Sequence, residues 1–193
     1  MRTFSIFGWF IISLFLLTTS SLVEVAQAQE DPCPGGYSKQ FRLSGRVENP
    51  RKFRLADLQQ YPKSSHITVS SYSGSKGLVT KTYIGVPLID LLNDAVIITD
   101  STRKNDILRK YVAVKATDCY EVVISVAELL SNFGHQQVLV AFATGDGQPL
   151  DDTEGMARLI VPGDKSGGRF VSNITAIRVR SAPQPIATIA IEK

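Results

Sequence analysis

Between Phe41 and Val179 apolar and polar positions alternate in short bursts, with no long periodic stretch. Phe41-Arg42-Leu43-Ser44-Gly45-Arg46-Val47 alternates with period two and predicts a strand, ended by the turn pair Asn49-Pro50. Leu55 to Gln60 puts Leu55 and Leu58 on one face and predicts a short helix that Pro62 stops. Ile67–Tyr72 and Leu78–Ile84 flank Ser73-Gly74-Ser75-Lys76-Gly77 and predict a hairpin. Gly85-Val86-Pro87 then opens a helix whose buried stripe is Leu88, Leu91 and Leu92, since Pro suits a first turn that has no use for its N–H.

Thr99 to Asp106 is polar and loop-like. Tyr111–Val114 and Glu121–Ile124 predict two strands around a turn at Thr117–Tyr120. Ser125 and Glu128 stand at capping-box spacing before Leu129-Leu130 and predict a short helix. Val138–Ala143 is a fully apolar strand, Gly145–Leu150 a turn, and Ile174–Val179 a last strand. Many short strands with a few inserted helices describe a mixed α+β domain, mainly antiparallel and β-rich.

One stretch stands out chemically. The strand-like run Arg158–Val161 stops at Pro162, and Gly163-Asp164-Lys165-Ser166-Gly167-Gly168-Arg169 follows. Glycines allow close backbone approach, and bare N–H groups beside cations suit an anion. The same composition also suits a polar hairpin turn. Arg158 and Arg169 are the best anion-binding residues in it, while Lys165 sits at the tip.

The chain ends are of another kind. Arg2, the apolar core Ile6–Leu17 and Ala26-Gln27-Ala28 make a secretory signal peptide over residues 1–28. The core falls short of the roughly 18–20 residues of a spanning helix, so no stable membrane anchor is expected. Residues 29–40 are rich in Pro, Gly and charge and read as a flexible leader, 41–180 as the domain, and 181–193 as a loosely attached tail. The expected product is exported, periplasmic or extracellular.

The net charge is +3 and stays so without residues 1–28, because Arg2 and Glu24 cancel. Such a mild, dispersed balance does not suit nucleic acid. Two cysteines, Cys33 and Cys119, and two separated histidines, His66 and His135, make no recognisable zinc site, and there is no haem motif. In an oxidising compartment Cys33 and Cys119 either bridge or remain free thiols; sequence does not give the separation that decides.

Several segments, in order, carry a resemblance. They are Ser44–Pro50, Leu55–Leu58, Tyr83-Ile84-Gly85-Val86-Pro87-Leu88-Ile89-Asp90-Leu91-Leu92, Asp118-Cys119-Tyr120, Asp146–Leu150 and Ala157-Arg158-Leu159-Ile160-Val161-Pro162-Gly163. Together they resemble the sulfite-oxidase-type molybdopterin-binding oxidoreductase domain, in its short, secreted, single-domain form. The resemblance implies a pocket for a molybdenum–pterin cofactor, with Arg158, Gly163, Gly167, Gly168 and Arg169 in its wall. It also implies a cysteine thiolate on the metal, in the strand region that here reads Val69-Ser70-Ser71-Tyr72-Ser73. Ser70 and Ser71 are weak substitutes, since a hydroxyl is a poor soft ligand. Tyr83 replaces the family's usual tryptophan. Two functions follow: an oxidoreductase using this cofactor and a separate electron-carrier protein, or a non-catalytic module of the same fold that binds a pterin or other anionic small molecule.

Overall fold

Among the described residues nine strands and three short helices follow one another as β1 (Phe41–Gly45), β2 (Arg51–Phe53), α1 (Leu55–Gln59), β3 (Ser65–Ser73), β4 (Gly77–Pro87), α2 (Leu88–Ala95), β5 (Lys110–Ala116), β6 (Glu121–Ser125), α3 (Val126–Leu129), β7 (Leu139–Thr144), β8 (Arg158–Ile160) and β9 (Ile174–Ser181). Short 3-10 turns occupy Asp106–Arg109 and Gly167–Arg169. This computed structural model describes residues 33–62, 64–74 and 77–183, all within the unit Asp31–Lys193. The signal peptide expected over 1–28, the start of the leader and residues 184–193 of the tail lie outside the described residues.

The strands form two sheets, one ordered β2-β1-β9-β5-β6 and the other β3-β4-β7-β8. Strand pairing is antiparallel except between β1 and β9, the first and last strands, which run parallel. The α+β, mainly antiparallel reading therefore holds. The apolar run in β7 fits a central strand with β4 on one side and β8 on the other, buried on both faces. A single core cluster draws Leu43, Val112 and Ile177 from one sheet and Val86, Val140 and Leu159 from the other. α1 touches β2 of the first sheet and β4 and β7 of the second.

In α2 the leucine stripe is buried as its spacing requires: Leu88, Leu91 and Leu92 are all at most 1% exposed. Each contributes about 1.5–3 kcal/mol through burial. The helix starts later than its sequence suggests. β4 keeps pairing with β7 to Pro87↔Leu139, past a bulge at Ile84/Gly85, so Pro87 is the N-cap and not part of the first turn. The capping box at Ser125 forms, with the Glu128 carboxylate accepting from the Ser125 N–H at 3.1 Å.

Two further differences concern the ends and the loop. The leader, expected to be loose, is fastened over residues 33–40. Cys33 is bridged to Cys119, Gly35 N–H donates to the Thr117 carbonyl, and Ser38 N–H donates to Asn173 Oδ1 at 3.0 Å. The segment Arg158–Val179 is not a hairpin. β8 lies in the four-stranded sheet and β9 in the five-stranded one, so the glycine-rich loop carries the chain between sheets.

Candidate functional site

The β3–β4 register pairs Val69 with Lys81, Ser71 with Val79 and Ile67 with Tyr83. Strand alternation then splits the hairpin into two faces. Val69, Ser71, Val79, Lys81 and Tyr83 line a cleft of 570 Å³, closed on its other side by Asp151, Thr153, Glu154, Arg158, Ser166, Gly167 and Phe170. The alternate positions carry exposed hydroxyl pairs, Ser70 with Thr80 at 2.6 Å and Thr68 with Thr82 at 2.7 Å.

Glu154 is the hub of the cleft and only 5% exposed. A turn delivers it: Asp151 Oδ1 accepts N–H bonds from Thr153 at 2.9 Å and Glu154 at 3.0 Å. Its carboxylate accepts from Lys81 Nζ at 2.7 Å, from the Tyr83 hydroxyl at 2.9 Å, and from Arg158 Nη1. Burial pushes this carboxyl up, but the bonds from Lys81 and Tyr83 and the Arg158 charge outweigh it and hold the group below its ordinary value. Burial also pushes the Tyr83 phenol well above its usual range, with Arg158 opposing and Glu154 reinforcing the shift. Neither group is poised to exchange a proton near neutral pH. The guanidinium carbon of Arg158 lies 5.9 Å from the ring centres of both Tyr83 and Phe170. Its Nε is buried without a hydrogen-bond partner among the described residues. An orphaned donor of this kind costs about 1–3 kcal/mol until something accepts from it.

The residues singled out by sequence fall in different places. Arg158, Gly167 and Ser71 line the cleft; Ser70 is on the opposite face of β3. Gly168 contributes its carbonyl, which accepts from the Tyr120 hydroxyl. Gly163 adopts φ +88°, a turn conformation glycine tolerates, and does not line the cleft. Arg169 is committed elsewhere: Nε and Nη2 clasp Asp164 at 2.8 and 2.7 Å, and Nη1 reaches Glu128 at 3.0 Å. The glycine-rich loop is thus ordered by its own arginine. Lys81 and Glu154 were not visible as site residues, although Glu154 and Arg158 stand four apart and Lys81 two from Tyr83.

With this geometry in place, comparison defines the class. The chain belongs to the oxidoreductase molybdopterin binding domain family, which it matches over residues 35–187. Among solved structures it is similar in fold to the sulfane dehydrogenase SoxCD from Paracoccus pantotrophus, at TM-score 0.57 and 22% identity. That match covers 72% of this chain and 37% of the SoxCD chain, so this chain spans little more than a third of that protein's length. No curated protein sequence matches.

The donor set can be tested against the family's cofactor. The cleft offers hydroxyls, two carboxylates, one ammonium and one guanidinium, and no thiol. Both cysteines are spent in the Cys33–Cys119 bridge. No cluster of three or more His, Cys, Asp or Glu suited to a metal occurs among the described residues. These residues do not fit a soft, thiolate-held molybdenum centre. What the cleft presents instead is the Arg158 side chain, 23% exposed, together with Ser71.

Proposed function

We propose that this chain is an exported, non-catalytic binding module of the molybdopterin-binding fold, whose cleft takes a pterin-like or other anionic small molecule without ligating molybdenum. The observation that carries this reading is the cleft's chemistry: Ser71 stands in a pocket without a thiol, and the cationic side chain of Arg158, 23% exposed, lines the same pocket. The 570 Å³ cleft lies within the roughly 300–1,000 Å³ typical of small-molecule pockets. Export rests on the charged start, apolar core and Ala26-Gln27-Ala28 of the first 28 residues. No helix among the described residues is long and apolar enough to cross a membrane.

The oxidoreductase reading is favoured by family membership alone. It requires an oxygen ligand from Ser71 and a separate electron-carrier protein. Elemental analysis and pterin fluorescence of denatured protein, purified from its native compartment, separate the two. The binding module retains no stoichiometric molybdenum and loses ligand affinity in Arg158→Gln. Stoichiometric molybdenum, with dye-linked turnover abolished by Ser71→Ala, would overturn it.

A further inference from the structure

A second cavity, sharing no residue with the cleft, lies where β1 and β9 end and β5 begins. It measures 240 Å³ and includes Arg46, Arg103, Arg109 and Lys110 against Asp100 and Asp106 in its lining. Its floor is the buried pair Lys110–Asp106, 3% and 5% exposed and 2.6 Å apart. Lys110 Nζ also donates to Ser181 Oγ at 2.8 Å, which leaves one of its three hydrogens unclaimed among the described residues.

The two carboxylates are already taken up. Asp106 Oδ2 accepts from the Asp100 N–H at 2.8 Å as well as from Lys110. Asp100 accepts from the Thr102 N–H and hydroxyl and pairs with Arg103 at 3.2 Å. Arg109 Nη2 holds the carbonyls of Ala182 and Pro183 at 3.2 and 3.3 Å, and its nearest carboxylate oxygen is 3.8 Å away. Arg46 makes no ion pair among the described residues. Its backbone is fixed nonetheless, by its N–H to Val179 and by its carbonyl, which accepts from Ile98. Among the described residues the lining of this small hollow carries four cations and two carboxylates.

We infer that this cavity is a binding site for a small doubly charged oxyanion of the phosphate or sulfate type. Guanidinium groups present forked N–H pairs that match the oxygens of such ions, and a hollow with cationic walls concentrates them. Its volume falls below the range of sites for drug-sized ligands, which favours an inorganic-sized anion over a cofactor. The site needs no particular reading of the cleft.

The test is calorimetric titration of the intact, disulfide-bonded protein with sodium phosphate and with sodium sulfate, against sodium chloride at matched ionic strength. Saturable binding of a divalent anion is expected, weakened about tenfold in Arg46→Gln, the equivalent of one charge-assisted hydrogen bond. Arg46→Gln should melt with the wild type in the absence of anion, and Arg158→Gln in the cleft should bind the anion normally. Preference between phosphate and sulfate identifies the ion. Heats that do not saturate, or that chloride reproduces, would overturn the inference. So would equal affinity in Arg46→Gln, or loss of binding in Arg158→Gln alone.

Discussion

The Lys81 ammonium and the Glu154 carboxylate meet at 2.7 Å across 73 residues of chain, and this ion pair joins the β4 wall of the cleft to the turn before β8. Glu154 also gathers Tyr83 and Arg158, so one buried carboxylate is shared between two cations. Glu154→Gln removes the carboxylate that both cations share and leaves Asp151 as the remaining cleft carboxylate. We expect a loss of about 2 kcal/mol, below the 3–5 of a fully buried pair because both cations are partly exposed. The same variant should bind anions in the cleft more tightly. Denaturant unfolding and ligand titration read the two effects; a variant as stable as wild type would show the network to be dispensable.

The pH dependence follows from the direction of the Glu154 shift. Its folded value is depressed below the ordinary 4.5, so its contribution to stability is fully present above that pH. The contribution disappears as pH falls through the lower folded value. Wild type and Glu154→Gln should therefore differ most near neutrality and converge on acidification. Parallel curves across that window would contradict the assignment.

What the sequence makes legible is local. The leucine spacing of α2 and the Ser125–Glu128 box each lie within a few residues, and both formed as expected. Arg158 also stands out locally, since it opens an apolar run at the edge of a glycine-rich loop. Lys81 falls on the polar half of a strand alternation, and Glu154 lies between the Gly145–Leu150 turn and Arg158 with no pattern of its own. Their meeting depends on β4 and the turn before β8 converging, which no short window encodes. Arg169 illustrates the converse. Beside three glycines it reads as a ligand-binding cation, but its partners are Asp164, five residues away, and Glu128, forty-one away. That β8 and β9 lie in different sheets is hidden for the same reason, because local alternation does not record which sheet a strand joins.

Arg169→Ala accordingly tests structure, not recognition. Its fork on Asp164 is bidentate and partly exposed, with side-chain exposures of 33% and 19%. Loss of about 1 kcal/mol is expected, near the upper end for such pairs, with cleft affinity retained. Abolished binding at unchanged stability would return Arg169 to the site.

The Cys33–Cys119 bridge closes a loop of 86 residues. In a chain-entropy treatment such a crosslink stabilises by about 4–5 kcal/mol. It also anchors the segment whose Ser38 bonds to Asn173, and Asn173 in turn donates its N–H to the Glu154 carbonyl. Cys33→Ser with Cys119→Ser should lower stability by most of that amount and weaken ligand binding in the cleft. Unfolding curves of oxidised and reduced wild type provide the same comparison without mutation. Coincident curves would mean that the bridge constrains nothing the fold does not already hold.

The register shift between β4 and β7 falls just beyond Tyr83, with Phe142 of β7 as the extra residue. Before it Tyr83 pairs with Thr144 and Ile84 with Ala143; after it Gly85 pairs with Ala141. β4 itself stays continuous through the shift, and Tyr83 keeps its hydroxyl on Glu154. Only glycine fits at the crossing, because a β-carbon on Gly85 would stand 2.6 Å from Ala141 Cα and 2.8 Å from Ala141 N. Both are backbone atoms of a central strand and cannot rotate away. Gly85→Ala must therefore push β4 off β7, and we expect a loss of about 1–3 kcal/mol, as for other overpacked cores. Displacement of β4 would carry Lys81 and Tyr83 with it, so affinity in the cleft should fall together with stability. Gly145→Ala makes a useful comparison: its β-carbon would meet the Thr82 side chain, not backbone, at 2.6 Å, at the end of the β4–β7 pairing. If Gly85→Ala lost stability with cleft affinity intact, the bulge would be a packing device with no part in placing Tyr83.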